Sequence, residues 1–189
     1  MSDDLQAQRS LSLDAALACV RVGPEDFDLS AEVSALRAHD DGVGAIVSFV
    51  GTVREWRQQK DAQTKAGPAS QPSIMELEHY PGMTERSIAE IIVQAWQRFD
   101  VRGVRVIHRV GPLHVFDQIV LVAVTSAHRG QAFQCAEFLM DWLKTQAPFW
   151  KKESSGGESR WVDARTADDE AAARWGGLAA NRVNARNGG

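Results

Sequence analysis

The chain has 189 residues, 44% of them hydrophobic, and its 21 basic and 25 acidic side chains leave a formal net charge of −4. That is enough for one globular domain with a sizeable core and no need of disulfides or a structural metal, and no run nears the roughly 18–20 apolar residues that span a bilayer. The acidic start MSDDLQAQRS lacks a signal-peptide pattern, Cys19 and Cys135 form neither a disulfide framework nor a zinc motif, and no basic stripe invites nucleic acid, so a soluble cytoplasmic protein is expected.

In chain order, residues 1–20 read equally as a frayed tail or a first strand. Asp28 or Ser30 caps a short helix through about Arg37. Residues 42–54, GVGAIVSFVGTVR, form a β-branched, nearly charge-free run that predicts a buried strand. Residues 58–73 are low in complexity and too polar to offset their ordering entropy, which predicts a mobile loop. Met75, Leu77 and His79 alternate with glutamates as in a half-buried strand. Thr84 is expected to cap the clearest helix, with Ile88, Ile91, Ile92, Ala95, Trp96 and Phe99 on one stripe.

Two further strands are predicted at 103–110 and 117–125, with Gly111-Pro112 ending the first. A helix over 130–146 follows, with Phe133, Ala136, Met140 and Leu143 on one stripe and Leu139 and Trp142 beside it, and Ala147-Pro148 stops it. A short strand near 159–162, a helix over 168–175 and a flexible tail complete the chain. Pattern alone predicts an α+β domain with helices on a mostly antiparallel sheet, of the ferredoxin-like split type.

Nucleotide-binding glycine motifs are absent, and the five histidines (39, 79, 108, 114 and 128) show no metal-ligand spacing. His79 and His108 read as core or edge histidines and Cys135 as a packed thiol. The chemistry concentrates in residues 141–153, DWLKTQAPFWKKE. Only five of the 21 basic residues are lysines, and Lys144, Lys151 and Lys152 fall within nine positions around one proline break. If they converge among Trp142, Phe149 and Trp150, burial beside a second cation lowers a lysine pKa and makes it a base or nucleophile. The competing reading leaves Lys144 at the negative end of the helix dipole and Lys151 and Lys152 in solvent. His128-Arg129, between a strand and a helix N-terminus, and Arg54, at a strand end, are candidate anion holders or ordinary surface groups.

Five ordered blocks, GAIVSFVGTVR (44–54), LEHYPGM (77–83), VIHRVG (106–111), TSAHR (125–129) and MDWLKTQAPFWKKE (140–153), resemble the MoaE family, the catalytic large subunit of molybdopterin synthase. The resemblance covers roughly 21–175, the expected catalytic domain, with 1–20 and a flexible 176–189 outside it. It implies an α/β-hammerhead fold with an additional antiparallel β subdomain, replacing the ferredoxin-like expectation. It also implies a homodimer within a heterotetramer, each end binding a small ubiquitin-like sulfur carrier (MoaD-like) by its C-terminal Gly-Gly thiocarboxylate. Sulfur then passes to cyclic pyranopterin monophosphate and forms the dithiolene of molybdopterin, with no metal, nucleotide or other cofactor implied. Carried over by position, Lys144 and Lys151 are the catalytic pair, and Arg54, His128, Arg129, Lys152 and Glu153 join them in binding substrate. Thr52 departs from the family pattern, because relatives often carry a basic side chain two residues before the arginine.

Overall fold

The computed structural model describes residues 10–54, 74–155, 158–162 and Trp175. The predicted loop at 58–73, the predicted helix at 168–175 apart from Trp175, and the tail from 176 lie outside the described residues.

The first sheet has strand order β1 (Val20–Gly23), β4 (Gly103–Arg109), β6 (Gln118–Ser126), β2 (Ala45–Thr52). β1 runs parallel to β4, and the other neighbours are antiparallel. Strand β6 is central and covered on both faces, which explains its unbroken apolar run. Val120, Val122 and Val124 face a core built with α3 (Met83–Arg98) and α4 (Arg129–Thr145). Leu121 and Ala123 point the other way, toward Phe27 and the partly buried Leu29, Val33 and Leu36 of α2 (Leu29–Arg37) and its approach. The Asp28 carboxylate accepts from the Ser30 and Ala31 amides at 2.8 and 3.1 Å, the expected cap of α2.

The second sheet is antiparallel throughout, in the order β5 (Gly111–His114), β3 (Ile74–His79), β7 (Phe149–Ser155), β8 (Glu158–Val162). Met75, Leu77 and Leu113 bury its inner face with Val53 and the start of β6 at Ile119. Gly111, at φ 82°, sits where the chain leaves β4 of one sheet for β5 of the other, a conformation open chiefly to glycine.

Several expectations need correction. The ferredoxin-like single sheet gives way to two sheets, because β5 and β7 pair with β3 and leave the first sheet. The N-terminal ambiguity resolves as a short helix, α1 (Leu13–Ala18), followed by β1. β2 has the composition of a buried strand but forms the sheet edge, leaving Ile46 37% and Phe49 40% exposed. Gly82, not Thr84, caps α3, and its amide donates to the Glu85 carboxylate at 2.6 Å. The buried stripe of α4 runs through Ala132, Cys135, Ala136, Leu139, Trp142 and Leu143, while Phe133 is 61% exposed.

Candidate active site

Lys144 lies in the last turn of α4 with its side chain in solvent. The Thr145 hydroxyl donates back to the Asp141 carbonyl at 2.8 Å, and the helix ends at Gln146. Three residues, Gln146 to Pro148, then carry the chain into β7. The Thr84 hydroxyl of α3 donates to the Pro148 carbonyl at 3.2 Å and accepts from the Tyr80 amide at 3.1 Å, so the turn is held from the neighbouring helix. Lys144 and Lys151 therefore flank one anchored turn.

In β7, residues alternate between the two faces of the sheet. Lys151 pairs with Leu77 and shares its inward face, where it is half-buried. Lys152 pairs with Glu76 on the outer face, and its Nζ stands 3.9 Å from the Glu76 carboxylate. Glu153 pairs with Met75 in the ladder. The adjacent lysines are thus divided between opposite sides of one sheet. Of the aromatic walls expected around them, Trp142 is buried in the main core, Phe149 stacks on His108, and Trp150 is 46% exposed on the outer face.

Arg54 follows Val53, whose amide donates to the Asp117 carbonyl at 2.8 Å and whose carbonyl accepts from the Phe116 amide at 2.8 Å. This strap holds the exposed Arg54 at the end of β2, beside the start of β6, where Thr52 pairs with Gln118. Only Ala127 and His128 link β6 to α4, so α4 must reverse and run back along β6. Its last turn, with Lys144, lies at the same end of the domain as Arg54.

His128 and Arg129 belong to the opposite end. His128 is the N-cap residue of α4 and Arg129 its first helical residue, both exposed. The Ser126 hydroxyl fixes the entry, donating to the Asp100 carbonyl at 2.6 Å and accepting from the His128 amide at 3.2 Å. Gly44 lies so close to this segment that a Cβ there would collide with the Ala127 carbonyl. Arg129 and Lys144 are 15 positions apart on α4, which at about 1.5 Å per residue is about 22 Å. One copy of the chain brings Arg54, Lys144 and Lys151 to one end and leaves His128 and Arg129 at the other.

Two buried groups that the residue pattern marks as inert are His108, stacked against the lysine strand at Phe149, and Cys135, in the main core. Burial holds the His108 imidazole down to about pKa 4, against a smaller opposing effect of the Arg109 carbonyl. Burial also pushes the Cys135 thiol up to about 12, which makes it a packing group. Among the described residues no three His, Cys, Asp or Glu side chains gather as a metal site, and no helix is long and apolar enough to cross a membrane.

A two-sheet α+β domain with cationic side chains at both ends of one helix has the character of an anion-binding domain. The family model described as MoaE protein matches residues 22–146. The chain belongs to the MoaE family, the catalytic subunits of molybdopterin synthase, which act in molybdenum cofactor biosynthesis. It is 54% identical over 157 residues to the molybdopterin synthase catalytic subunit of Ralstonia nicotianae, covering 83% of this chain and 84% of that one. The protein of the same name from Vibrio cholerae is 48% identical over 156 residues, covering 82% and 97%. Among solved structures, molybdopterin cofactor biosynthesis protein E from Burkholderia multivorans superposes with a TM-score of 0.66 at 52% identity, covering 83% and 95%. The fold is accordingly the α/β-hammerhead with an antiparallel β subdomain that the resemblance implied.

Proposed function

We propose that this chain transfers sulfur from the C-terminal thiocarboxylate of a small ubiquitin-like carrier to cyclic pyranopterin monophosphate, building the dithiolene of molybdopterin in the cytoplasm. The observation that carries the reading is the placement of Lys144 and Lys151 on either side of one anchored turn, with Arg54 at the same end of the domain. An incoming thiocarboxylate and a phosphate-bearing pterin are both anionic, and cations fixed before they arrive stabilise charge as it develops. Lys144 activates the thiocarboxylate carbonyl. Lys151, half-buried on the inner face, serves as the acid/base or covalent group. Arg54, His128 and Arg129 hold phosphate and pterin, and Lys152 and Glu153 extend the binding segment.

The separation along α4 supports a homodimer as the working unit. His128 and Arg129 reach a lysine pair when a second copy places its α4 N-terminus beside the first copy's lysine end, and a twofold axis makes that contact twice. One solved structure of the same fold, at 17% identity with a TM-score of 0.60, is a complex of subunits 1 and 2 of the molybdopterin-converting factor from Helicobacter pylori. A two-component assembly of that kind, with one carrier at each end of the dimer, fits the proposed reaction.

The test is to incubate the protein with thiocarboxylated carrier and cyclic pyranopterin monophosphate and to assay the dithiolene product. Product is expected from the wild type and lost in Lys144→Ala and Lys151→Ala. Undiminished product in both variants would sink the site assignment, and tight carrier binding with no product would show a docking subunit instead.

A further inference from the structure

We infer that His108 is a positioning residue for the lysine-bearing strand: by stacking on Phe149 it fixes where β7 begins, two residues before Lys151. The inference rests on the proposed role of Lys151.

The two rings come from different sheets, His108 from β4 of the first and Phe149 from β7 of the second. Their centroids are 3.8 Å apart and their planes 20° from parallel. The His108 Nδ1 lies 2.9 Å from the Arg109 carbonyl oxygen. A carbonyl only accepts, so Nδ1 carries the proton and the bond sets the tautomer, while the face-to-face contact with Phe149 sets the plane of the ring. Phe149 is thereby given a flat, oriented surface to lie against. An aliphatic side chain of similar volume would fill the space without selecting that orientation.

The strand start is held from two further directions. Phe149 is the cross-strand partner of His79, whose Nε2 stands 3.6 Å from the Glu85 carboxylate of α3. The Pro148 carbonyl just before it accepts from Thr84 of the same helix. Within β7, Phe149 and Lys151 project to the same face. A rotation or shift at Phe149 is therefore carried by one stiff repeat of the pleat to Lys151, and the strand's local pairing with Leu77 leaves it no slack.

The test uses the full-length chain as wild type, His108→Ala and His108→Phe. One measurement is the acylation rate of Lys151 relative to Lys144 by a limiting amine-reactive ester, read by peptide mass spectrometry without turnover. The other is kcat and KM for the pyranopterin with thiocarboxylated carrier. For His108→Ala the labelling ratio is expected to change by about threefold or more, and kcat to fall about 10- to 100-fold while KM stays within about twofold. His108→Phe returns a flat ring and is expected to restore both to within about threefold of wild type. An unchanged ratio in folded His108→Ala, or a folded His108→Phe that restores neither readout, overturns the inference. If His108→Ala does not fold, Phe149→Leu removes the other ring of the pair and is judged by the same thresholds. Wild-type protein that makes no product defeats the sulfur-transfer reading, and the labelling ratio then decides the positioning role by itself.

Discussion

Thr84 and Pro148, 64 residues apart in sequence, meet at 3.2 Å through a hydroxyl-to-carbonyl hydrogen bond that ties α3 to the turn between the two candidate lysines. Thr84 is fully buried, and the same hydroxyl accepts from the Tyr80 amide. Thr84→Val keeps the shape and removes both bonds, leaving an amide and a carbonyl to find other partners. We expect it to lower stability by about 1–3 kcal/mol in urea unfolding, and to reduce the turnover rate more than substrate affinity because the lysine turn loses its tether.

The division of β7 between two faces predicts unequal lysines. Lys151→Ala is expected to lower the rate of dithiolene formation by about 100-fold or more, in the range of a lost acid/base group. Lys152, against Glu76 on the outer face, makes a partly exposed pair of the kind worth about 0–1 kcal/mol. Lys152→Ala should cost a few-fold at most. Steady-state kinetics of both variants against one preparation of carrier checks the ranking.

Separation of the two cationic clusters along α4 predicts complementation between copies. Arg129→Ala and Lys151→Ala homodimers should each be nearly inactive. Unfolding and refolding an equal mixture yields mixed dimers, each with one intact composite site, and activity should return to about a quarter of wild type. No recovery, with mixed dimers demonstrated by mass spectrometry, would place all the groups in a single copy.

His108 makes stability depend on pH. Its folded pKa, held down to about 4 by burial, lies below the ordinary histidine value of 6.5. Between those values the unfolded chain binds the extra proton and the folded chain does not, so stability is full above about pH 6.5 and falls as the pH drops toward 4. The contribution is on the order of 2–3 kcal/mol, allowing for the part of the residue that solvent reaches. His79, Glu85 and the Arg109 carbonyl also face this region, so the measurement is the difference between wild type and His108→Phe across the window. The variant should lose the acid sensitivity that this imidazole contributes.

The rotation of α4 is directly testable. Leu139, fully buried, should cost about 2–5 kcal/mol as Leu139→Ala. Phe133, 61% exposed, should change stability by no more than about 0.5 kcal/mol as Phe133→Ala. Thermal denaturation of the two proteins separates the observed stripe from the one periodicity suggests.

That helix illustrates how far the residues alone could lead. The Ile88–Ala95 stripe of α3 was readable because its apolar residues recur on one face with polar residues opposite, and the same face is buried. Helix α4 has apolar residues nearly all round, so spacing cannot decide which of Phe133 and Cys135 turns inward. Strand β2 is as apolar as a central strand, yet an edge position depends on partners distant in sequence. Strands β5 and β7 are hidden for a related reason: Gly111-Pro112 and the charged KKE run look like turn and surface, and only pairing with β3 makes them extended. At the site, the segments were legible and their grouping was not. The helix predicted between residues 125–129 and 140–153 already separates their cations, whereas the approach of Arg54 to the Lys144 end depends on strand pairing distant in sequence.

The lysine doublet in β7 has a consequence for errors in strand pairing. A slip of one residue against β3 would turn the whole strand over and present Lys152 inward in place of Lys151, so the amine at that position would survive a mistake that destroys most sites. The neighbours would not survive it: Trp150 would be driven inward and Phe149 would leave His108. Chemical identity at the inner face is thus duplicated, whereas alignment is not. Proofreading of the register falls to the aromatic residue at the strand's first position.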